Sequence, residues 1–359
     1  MKTPLLLTGE YDILARNMHN KSISNYSPAG MIIGDVCFLQ EKDDYHVFYL
    51  QQPATLINPE DRHDLWTSIG HAVSKDLYHW KGLPPIIKPS NGLDKWDNLV
   101  IWTGSIIKKE NTYYLFYTGK SDNPEEKLTQ RIGVATSTDL VTWNKSDQNP
   151  LLESDNKIYA DSNKLDQFGR IGAWRDPFVF KNPKSNDYFM LISARLKGEE
   201  TIYNGCIAIA QSKDLINWNL QKPVLAPGIY EEMEVPQMVC HKDKYYIFFS
   251  AHASGYNPEF TKKIGGAFGG LHCYYSDDIL GEYRPINGNG VVYSNKEDKY
   301  GLTVVKNIDD TFSLLGYQYL DNEDNFIGKL SHPMKIEIDN DKTIVYSNGE
   351  VITPSSYSI

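Results

Sequence analysis

Ser74-Lys75-Asp76-Leu77-Tyr78-His79-Trp80 decides the fold, because the chain repeats it as Ser137-Thr138-Asp139-Leu140-Val141-Thr142-Trp143 and as Ser212-Lys213-Asp214-Leu215-Ile216-Asn217-Trp218. A degenerate copy, Ser276-Asp277-Asp278-Ile279, keeps Tyr283 near the tryptophan position. Self-similarity at a regular period is the signature of a repeat architecture. The copies begin at residues 74, 137, 212 and 276, so one unit spans 63 to 75 residues. Four short strands fit in that length, which is one blade of a β-propeller.

A second repeat runs in phase with the first. Each unit holds an apolar strand, a polar turn and an aromatic strand. The pairs are Val36 to Leu39 with Tyr45 to Leu50, Ser105 to Ile107 with Tyr113 to Tyr117, and Phe178 to Phe180 with Tyr188 to Ile192. They continue as Met238 to Cys240 with Tyr245 to Phe249, and Leu302 to Val305 with Phe312 to Tyr317. Five hairpins predict an all-β chain folded as a five-bladed β-propeller. No break in composition divides residues 1–359, so one domain is expected. Residues 3–13 and 335–352 are expected to supply strands that close the ring, since an open last blade would leave an unpaired edge. Pro124-Glu125-Glu126-Lys127 is the one stretch that reads as helical.

Composition narrows the function. A net charge of −10 argues against a nucleic-acid partner, because phosphate binding needs a basic face. The 24 Tyr and 7 Trp suit strands and a sugar-stacking surface. Cys37, Cys206, Cys240 and Cys273 lie in apolar runs without CxxC spacing, so they read as buried free thiols rather than zinc ligands. His46, His71 and His79 fall in blade-one repeat segments and read as structural. No metal and no cofactor are expected. No apolar run reaches the ~20 residues of a spanning helix. The Leu5-Leu6-Leu7 run, followed by Glu10, is too short for a signal peptide. The expected setting is therefore cytoplasmic and away from membranes, with a small imported carbohydrate as substrate.

The chemistry is sought where the blades differ, at the residues leading into each innermost strand. Blade one has Gly34-Asp35-Val36, blade two Trp102-Thr103-Gly104, blade three Trp174-Arg175-Asp176-Pro177, and blade four Glu232-Met233-Glu234-Val235-Pro236. In a propeller these positions cluster at one mouth of the central channel, so Asp35, Asp176 and Glu234 are expected to converge. Converging carboxylates repel, and some must be paired or protonated. That suits glycoside hydrolysis, in which one carboxylate attacks or activates water and one carboxylic acid protonates the leaving oxygen. Arg175 can keep a neighbouring carboxylate ionised. Trp102 and Trp174 offer flat faces to a sugar ring. Glu231 and Glu232 are expected to face solvent, and Glu234, between Met233 and Val235, to sit in an apolar setting that keeps it protonated.

At these residues the chain resembles glycoside hydrolase family 32, the fructan and sucrose hydrolases. Arg175-Asp176-Pro177 resembles the family's Arg-Asp-Pro motif, and Glu234-Val235-Pro236 its Glu-Cys-Pro motif. Gly70-His71-Ala72-Val73-Ser74-Lys75-Asp76-Leu77 is similar to its first-blade signature, Tyr45-His46-Val47-Phe48-Tyr49 to the strand before it, and Trp102-Thr103-Gly104-Ser105 to its aromatic-Ser-Gly-Ser segment. The resemblance implies a retaining mechanism with Asp35 as nucleophile, Glu234 as acid/base and Asp176 as stabiliser of the fructosyl transition state. It also implies a terminal-sugar pocket lined by Trp102, Thr103 and Arg175. Trp174 and Gln51 complete the candidate substrate-binding set, Gln51 because the family's glutamine aligns with Leu50 beside it. The family's Asn-Asp-Pro-Asn-Gly segment is here reduced to Gly34-Asp35-Val36, and Ile69 replaces an indole. The chain reads as a short form without the family's C-terminal β-sandwich.

Two other functions fit parts of the pattern. An inverting arabinofuranosidase-type propeller would use Asp35 as a base, and the product anomer separates it from a retaining enzyme. A non-catalytic carbohydrate-binding propeller would bind sugar without turnover.

Overall fold

The computed structural model describes residues 25–354 except 57–67, 199–200, 295–297, 322 and 324. Its strands form five antiparallel sheets, one per repeat unit, which are the blades of a five-bladed propeller. Blade one holds β1 (Met31–Glu41), β2 (Asp44–Pro53), β3 (Ser68–Ser74) and β4 (Lys81–Ile87). Blade two holds β5 (Val100–Lys109), β6 (Thr112–Lys120), β7 (Arg131–Ser137) and β8 (Asn144–Lys145). Blade three holds β9 (Trp174–Lys181), β10 (Tyr188–Arg195), β11 (Gly205–Ser212) and β12 (Asn219–Leu220). Blade four holds β13 (Glu234–His241), β14 (Lys244–Ala251), β15 (Gly270–Ser276), β16 (Arg284–Pro285) and β17 (Val291–Tyr293). Blade five holds β18 (Lys299–Lys306), β19 (Phe312–Leu320), β20 (Phe326–Leu330), β21 (Met334–Asp339), β22 (Lys342–Ser347) and β23 (Glu350–Ile352). The five expected hairpins are β1–β2, β5–β6, β9–β10, β13–β14 and β18–β19.

The repeated heptapeptide is a turn that caps the third strand of its blade. In blade two, Ser137 Oγ accepts the Asp139 and Leu140 amides at 3.1 and 2.9 Å, and Asp139 Oδ1 accepts the Val141 and Thr142 amides at 2.9 and 2.7 Å. Blades one and three repeat these bonds through Ser74 and Asp76, and through Ser212 and Asp214. Leu77, Leu140 and Leu215 are left-handed, with φ of 66°, 63° and 76°, and all are buried. Trp80 Nε1 donates to Leu77 O, Trp218 Nε1 to Leu215 O, and in the degenerate copy the Tyr283 hydroxyl donates to Ile279 O. Each serine therefore satisfies two amides, that of an aspartate and that of a buried leucine. Ser137→Ala is expected to lower the unfolding free energy by about 1–2 kcal/mol. Ser74→Ala and Ser212→Ala should add to it, because the turns lie on separate blades. Urea denaturation of the single and triple variants checks this.

The innermost strands pack in the ring order β1, β5, β9, β13, β18 and back to β1. Side chains at matching depth stitch neighbours together. Ser105 Oγ donates to Pro177 O and accepts the Val179 amide, Gln237 clasps Val304 through both its amide atoms, and Thr303 Oγ1 donates to Val36 O. Between the blades lie apolar clusters, such as Phe249, Ile247 and Met238 with Leu191 and Ile209.

Three expectations change. Residues 335–352 lie in β21, β22 and β23, which complete blade five itself; residues 3–13 lie outside the described residues. The first and last blades meet where β1 packs on β18 and β20, and the Asn25–Tyr26 segment bonds across that seam: Tyr26 O accepts the Leu330 amide at 2.8 Å and Asn25 Nδ2 donates to Leu330 O at 2.8 Å. Pro124 to Lys127 form turns, and the α-helix among the described residues is α1 (Pro258–Ile264). Its signal was present as Asn257 at the N-cap, Pro258 at the first turn and Gly265 at the C-terminal end. Cys37, Cys206 and Cys273 are buried free thiols as expected, but Cys240 is exposed.

Candidate active site

Every innermost strand carries a bulge at the same depth. The register slips between Ile33 and Val36 in β1, between Trp102 and Gly104 in β5, between Arg175 and Phe178 in β9, between Glu234 and Gln237 in β13, and between Tyr300 and Thr303 in β18. A bulge bends its strand and re-aims the side chains beside it. Asp35 and Asp176 sit within their bulges, and Glu234 immediately precedes one. The turn forces positive φ on Asp176 (59°), Val235 (48°) and Gly301 (57°).

The side chains so aimed line a cavity of about 390 Å³, within the roughly 300–1,000 Å³ of small-molecule sites. Asp35, Asp176, Glu234, Glu232 and Arg175 form one part of its wall, and Trp102, Tyr300, Tyr319, Phe326 and His252 another. Arg175 Nη2 donates to Glu234 Oε1 at 2.8 Å and to Glu232 Oε1 at 2.9 Å. The Tyr300 hydroxyl donates to the other Glu234 oxygen, and His252 stacks on the Tyr300 ring with centroids 4.3 Å apart. Asp176 Oδ2 accepts the Val235 amide at 3.0 Å and lies 3.8 Å from Arg175 Nε. Asp35 differs, because its Oδ1 is buried with no hydrogen-bond partner.

These contacts spread the ionisation of the acids. Burial pushes the Asp35 carboxyl well above the usual carboxylate range, and Asp176 and Glu234 push it further. Burial also carries Asp176 up to about 7, although Arg175 opposes it. Burial alone would raise Glu232, but Arg175 and Arg195 outweigh it and hold that carboxyl at about 2. The cluster therefore titrates as one unit and retains a proton near neutrality. One ionised and one protonated carboxyl is the combination that acid-assisted displacement at a glycosidic carbon requires.

Residues 35–347 match the description of the N-terminal domain of glycosyl hydrolases family 32. The chain belongs to glycosyl hydrolase family 32. The family 32 chain is 25% identical over 238 residues to a levansucrase of Rahnella aquatilis, covering 63% of this chain and 54% of that protein. It is 28% identical over 188 residues to a sucrose-6-phosphate hydrolase of Zymomonas mobilis, covering 51% of this chain and 32% of that protein. It thus spans about half the length of the levansucrase it matches. Its fold is that of the inulosucrase from Halalkalicoccus jeotgali bound to kestose, with a TM-score of 0.74 at 23% identity over 94% of each chain.

Within this family 32 chain the structure gathers Asp35, Asp176, Glu234, Arg175 and Trp102 around one cavity. It sends three other expected residues elsewhere. Trp174 is fully buried in blade three, with its ring 5.0 Å from that of Tyr159. Gln51 is buried too, and its Nε2 donates to Ser68 Oγ at 2.9 Å. Thr103 lines a second cavity of about 210 Å³, on the far side of the bulges in the channel. The reason is common to all three. Successive side chains on a strand face opposite ways, so the cavity face goes to Arg175 rather than Trp174, to Leu50 rather than Gln51, and to Trp102 rather than Thr103.

The environment of Glu234 also differs from the expectation. Met233 packs into the core between blades three and four, and the Glu234 carboxyl meets Arg175 and Tyr300 instead of apolar groups. Glu232 faces the cavity and two arginines rather than solvent. Sequence reading passed over Tyr300, His252 and Arg195. Tyr300 could have been found, since it leads into the blade-five innermost strand where the other blades carry their site residues.

Gly301 has a role in this geometry. A Cβ there would come within 2.8 Å of Asp35 Oδ1, and its φ of 57° strains any side chain. Gly301→Ala is expected to displace Asp35 and lower kcat by about tenfold to hundredfold, with a small fall in thermal midpoint. Steady-state kinetics with a melting curve checks it.

Proposed function

We propose that this chain is a retaining glycoside hydrolase that cleaves terminal β-fructofuranosyl bonds in short fructooligosaccharides or sucrose-like substrates. Asp35 is the nucleophile, Glu234 the acid/base, and Asp176 the residue that holds the fructosyl hydroxyls. The observation that carries the assignment is that Asp35, alone of the three acids, faces the cavity without a bonded partner. A nucleophile must keep its carboxylate disengaged, and Asp35 lines the cavity with no hydrogen bond or ion pair on its carboxyl, whereas both Glu234 oxygens and Asp176 Oδ2 already accept bonds. Turnover needs the proton of the cluster on Glu234. The Glu234 oxygens have polar partners able to follow a proton as it leaves and returns. Family membership and the named relatives, which act on sucrose and its phosphate by their names, support the fructosyl substrate. The proposal includes a cytoplasmic setting, supported by the four free cysteines.

The test is a screen across sucrose, kestose, inulin, levan and arabinan oligosaccharides, with the first product anomer read by NMR. Release or transfer of fructose with retained configuration is expected, and activity should survive EDTA. Release of arabinose, an inverted first product, or binding without turnover would overturn the reading. Loss of activity in EDTA restored by a divalent ion would overturn its metal-free part.

A further inference from the structure

Arg195 stands outside the cavity, yet it is joined to the acids by a line of alternating charges. It closes β10, is 3% exposed, and its Nη2 lies 2.9 Å from Glu232 Oε1 and 3.5 Å from Glu231 Oε1. The same Glu232 oxygen receives Arg175, which in turn holds Glu234. In the other direction Glu231 faces Arg170 Nη1 at 3.8 Å, and Arg170 is bound to Asp166. The order along the line is Asp166, Arg170, Glu231, Arg195, Glu232, Arg175, Glu234.

The remaining donors of Arg195 are not used. Its Nε and Nη1 are buried without a partner, and so is the Ser193 hydroxyl two residues earlier on the same face of β10. A buried guanidinium with unsatisfied donors is costly, and a hydrophobic side chain of that volume would often serve stability as well or better. The position therefore calls for its charge.

We infer that Arg195 is a positioning residue for the acid cluster: by holding Glu232 it fixes how Arg175 is shared between Glu232 and Glu234. This rests on the reading of the cavity as the hydrolytic site. Without the Arg195 charge, Glu232 has Arg175 alone to neutralise it, and draws that guanidinium away from Glu234. Glu232 then holds its proton to higher pH. The charged or titratable groups that meet Arg195 are Glu231 and Glu232 from the segment before β13 and the Cys206 thiol of β11; Arg175 of β9 shares Glu232 with it, and Arg170 from the loop before β9 shares Glu231.

The experiment compares wild type with Arg195→Met and Arg195→Lys. The first readout is the titration of ¹³C-labelled glutamate carboxyls, assigned with Glu232→Gln and Glu234→Gln. In Arg195→Met the Glu232 titration is expected to rise by about one pH unit or more. The acid limb of kcat/KM should move the same way by about half a unit. Arg195→Lys keeps the charge and should return both most of the way. Unmoved glutamate titrations in Arg195→Met, or a shift in Arg195→Lys as large as in Arg195→Met, would overturn the inference. If Arg195→Met does not accumulate as folded protein, Arg195→Gln takes its place under the same outcomes. A residue that only packs the blade would change yield and melting temperature without moving either pH readout. The carboxyl titration needs no turnover, so failure of the hydrolase reading leaves it standing, while an active wild type with unmoved carboxyls sinks this inference alone.

Discussion

Replacing Asp35 with Asn is expected to cut turnover by ~10⁴-fold or more, because the covalent route loses its nucleophile. The same change should make the protein more resistant to heat at pH 8. The Asp35 carboxyl is held above its ordinary range by burial and by Asp176 and Glu234, so the native state prefers it protonated. The sign follows from proton linkage. A carboxyl with a raised folded-state value stabilises the fold at low pH and loses that contribution as pH rises through the folded value. Asparagine removes the charge, so the gain should appear above neutrality and vanish near pH 3–4. Glu234→Ala gives a different pattern. It should lower hydrolysis of natural substrates by about 10²–10⁴-fold but keep appreciable activity on a fructosyl donor with an activated leaving group, which needs no proton. Asp35→Ala should not be rescued that way. Kinetics on both donor types, with melting curves at pH 4 and pH 8, check the set. Equal rescue of both variants would remove the role assignment while leaving the propeller intact.

Arg175→Met is expected to abolish activity and to lower stability at pH 8 by about 3–5 kcal/mol. Arg175 is 8% exposed, binds Glu232 and Glu234 at 2.9 and 2.8 Å, and lies 3.8 Å from Asp176. Burial alone would favour loss of its proton, but those three carboxylates outweigh burial and keep the guanidinium charged. Its loss leaves Asp35, Asp176, Glu232 and Glu234 facing one another, with the Arg195 guanidinium still in contact with Glu232. The carboxyls can then escape by taking up protons, so the stability deficit should shrink as pH falls from 8 to 5. Urea denaturation at the two pH values measures it. Arg175→Lys should recover part of the stability, because the charge remains. It should recover little of the activity, since one ammonium on a shorter reach cannot hold both glutamates in place.

The parts of the fold that were legible in the sequence are those made by local bonds. The Ser-x-Asp-Leu turn closes on its own nearby amides, so blades one to three spell it the same way, and the five hairpins in phase with it expose the blade count. The hairpins were legible for a similar reason, since alternating apolar and aromatic runs can bury one another only as paired strands. Ring closure was not legible, because Tyr26 and Leu330 lie at opposite ends of the chain and their bond follows no local pattern.

The site divides along the same line. Sequence alone determined that the acids Asp35, Asp176 and Glu234 would stand at equivalent places in different blades, with Arg175 beside Asp176, since each lies in the first half of a hairpin's opening strand. What only the tertiary structure decided is which neighbour of each acid shares the cavity. The bulge at every innermost strand shifts the register there, and a one-residue slip turns a side chain to the opposite face. Alternation along β2 gives the cavity face to Leu50 in place of Gln51, and along β9 it leaves Trp174 to the core while Arg175 reaches the acids. Ionisation was likewise out of reach from sequence. Glu234 seemed apolar beside Met233 and Val235, but its carboxyl meets Arg175 from blade three and Tyr300 from blade five. Charges interact through space, and only the closed ring sets those distances.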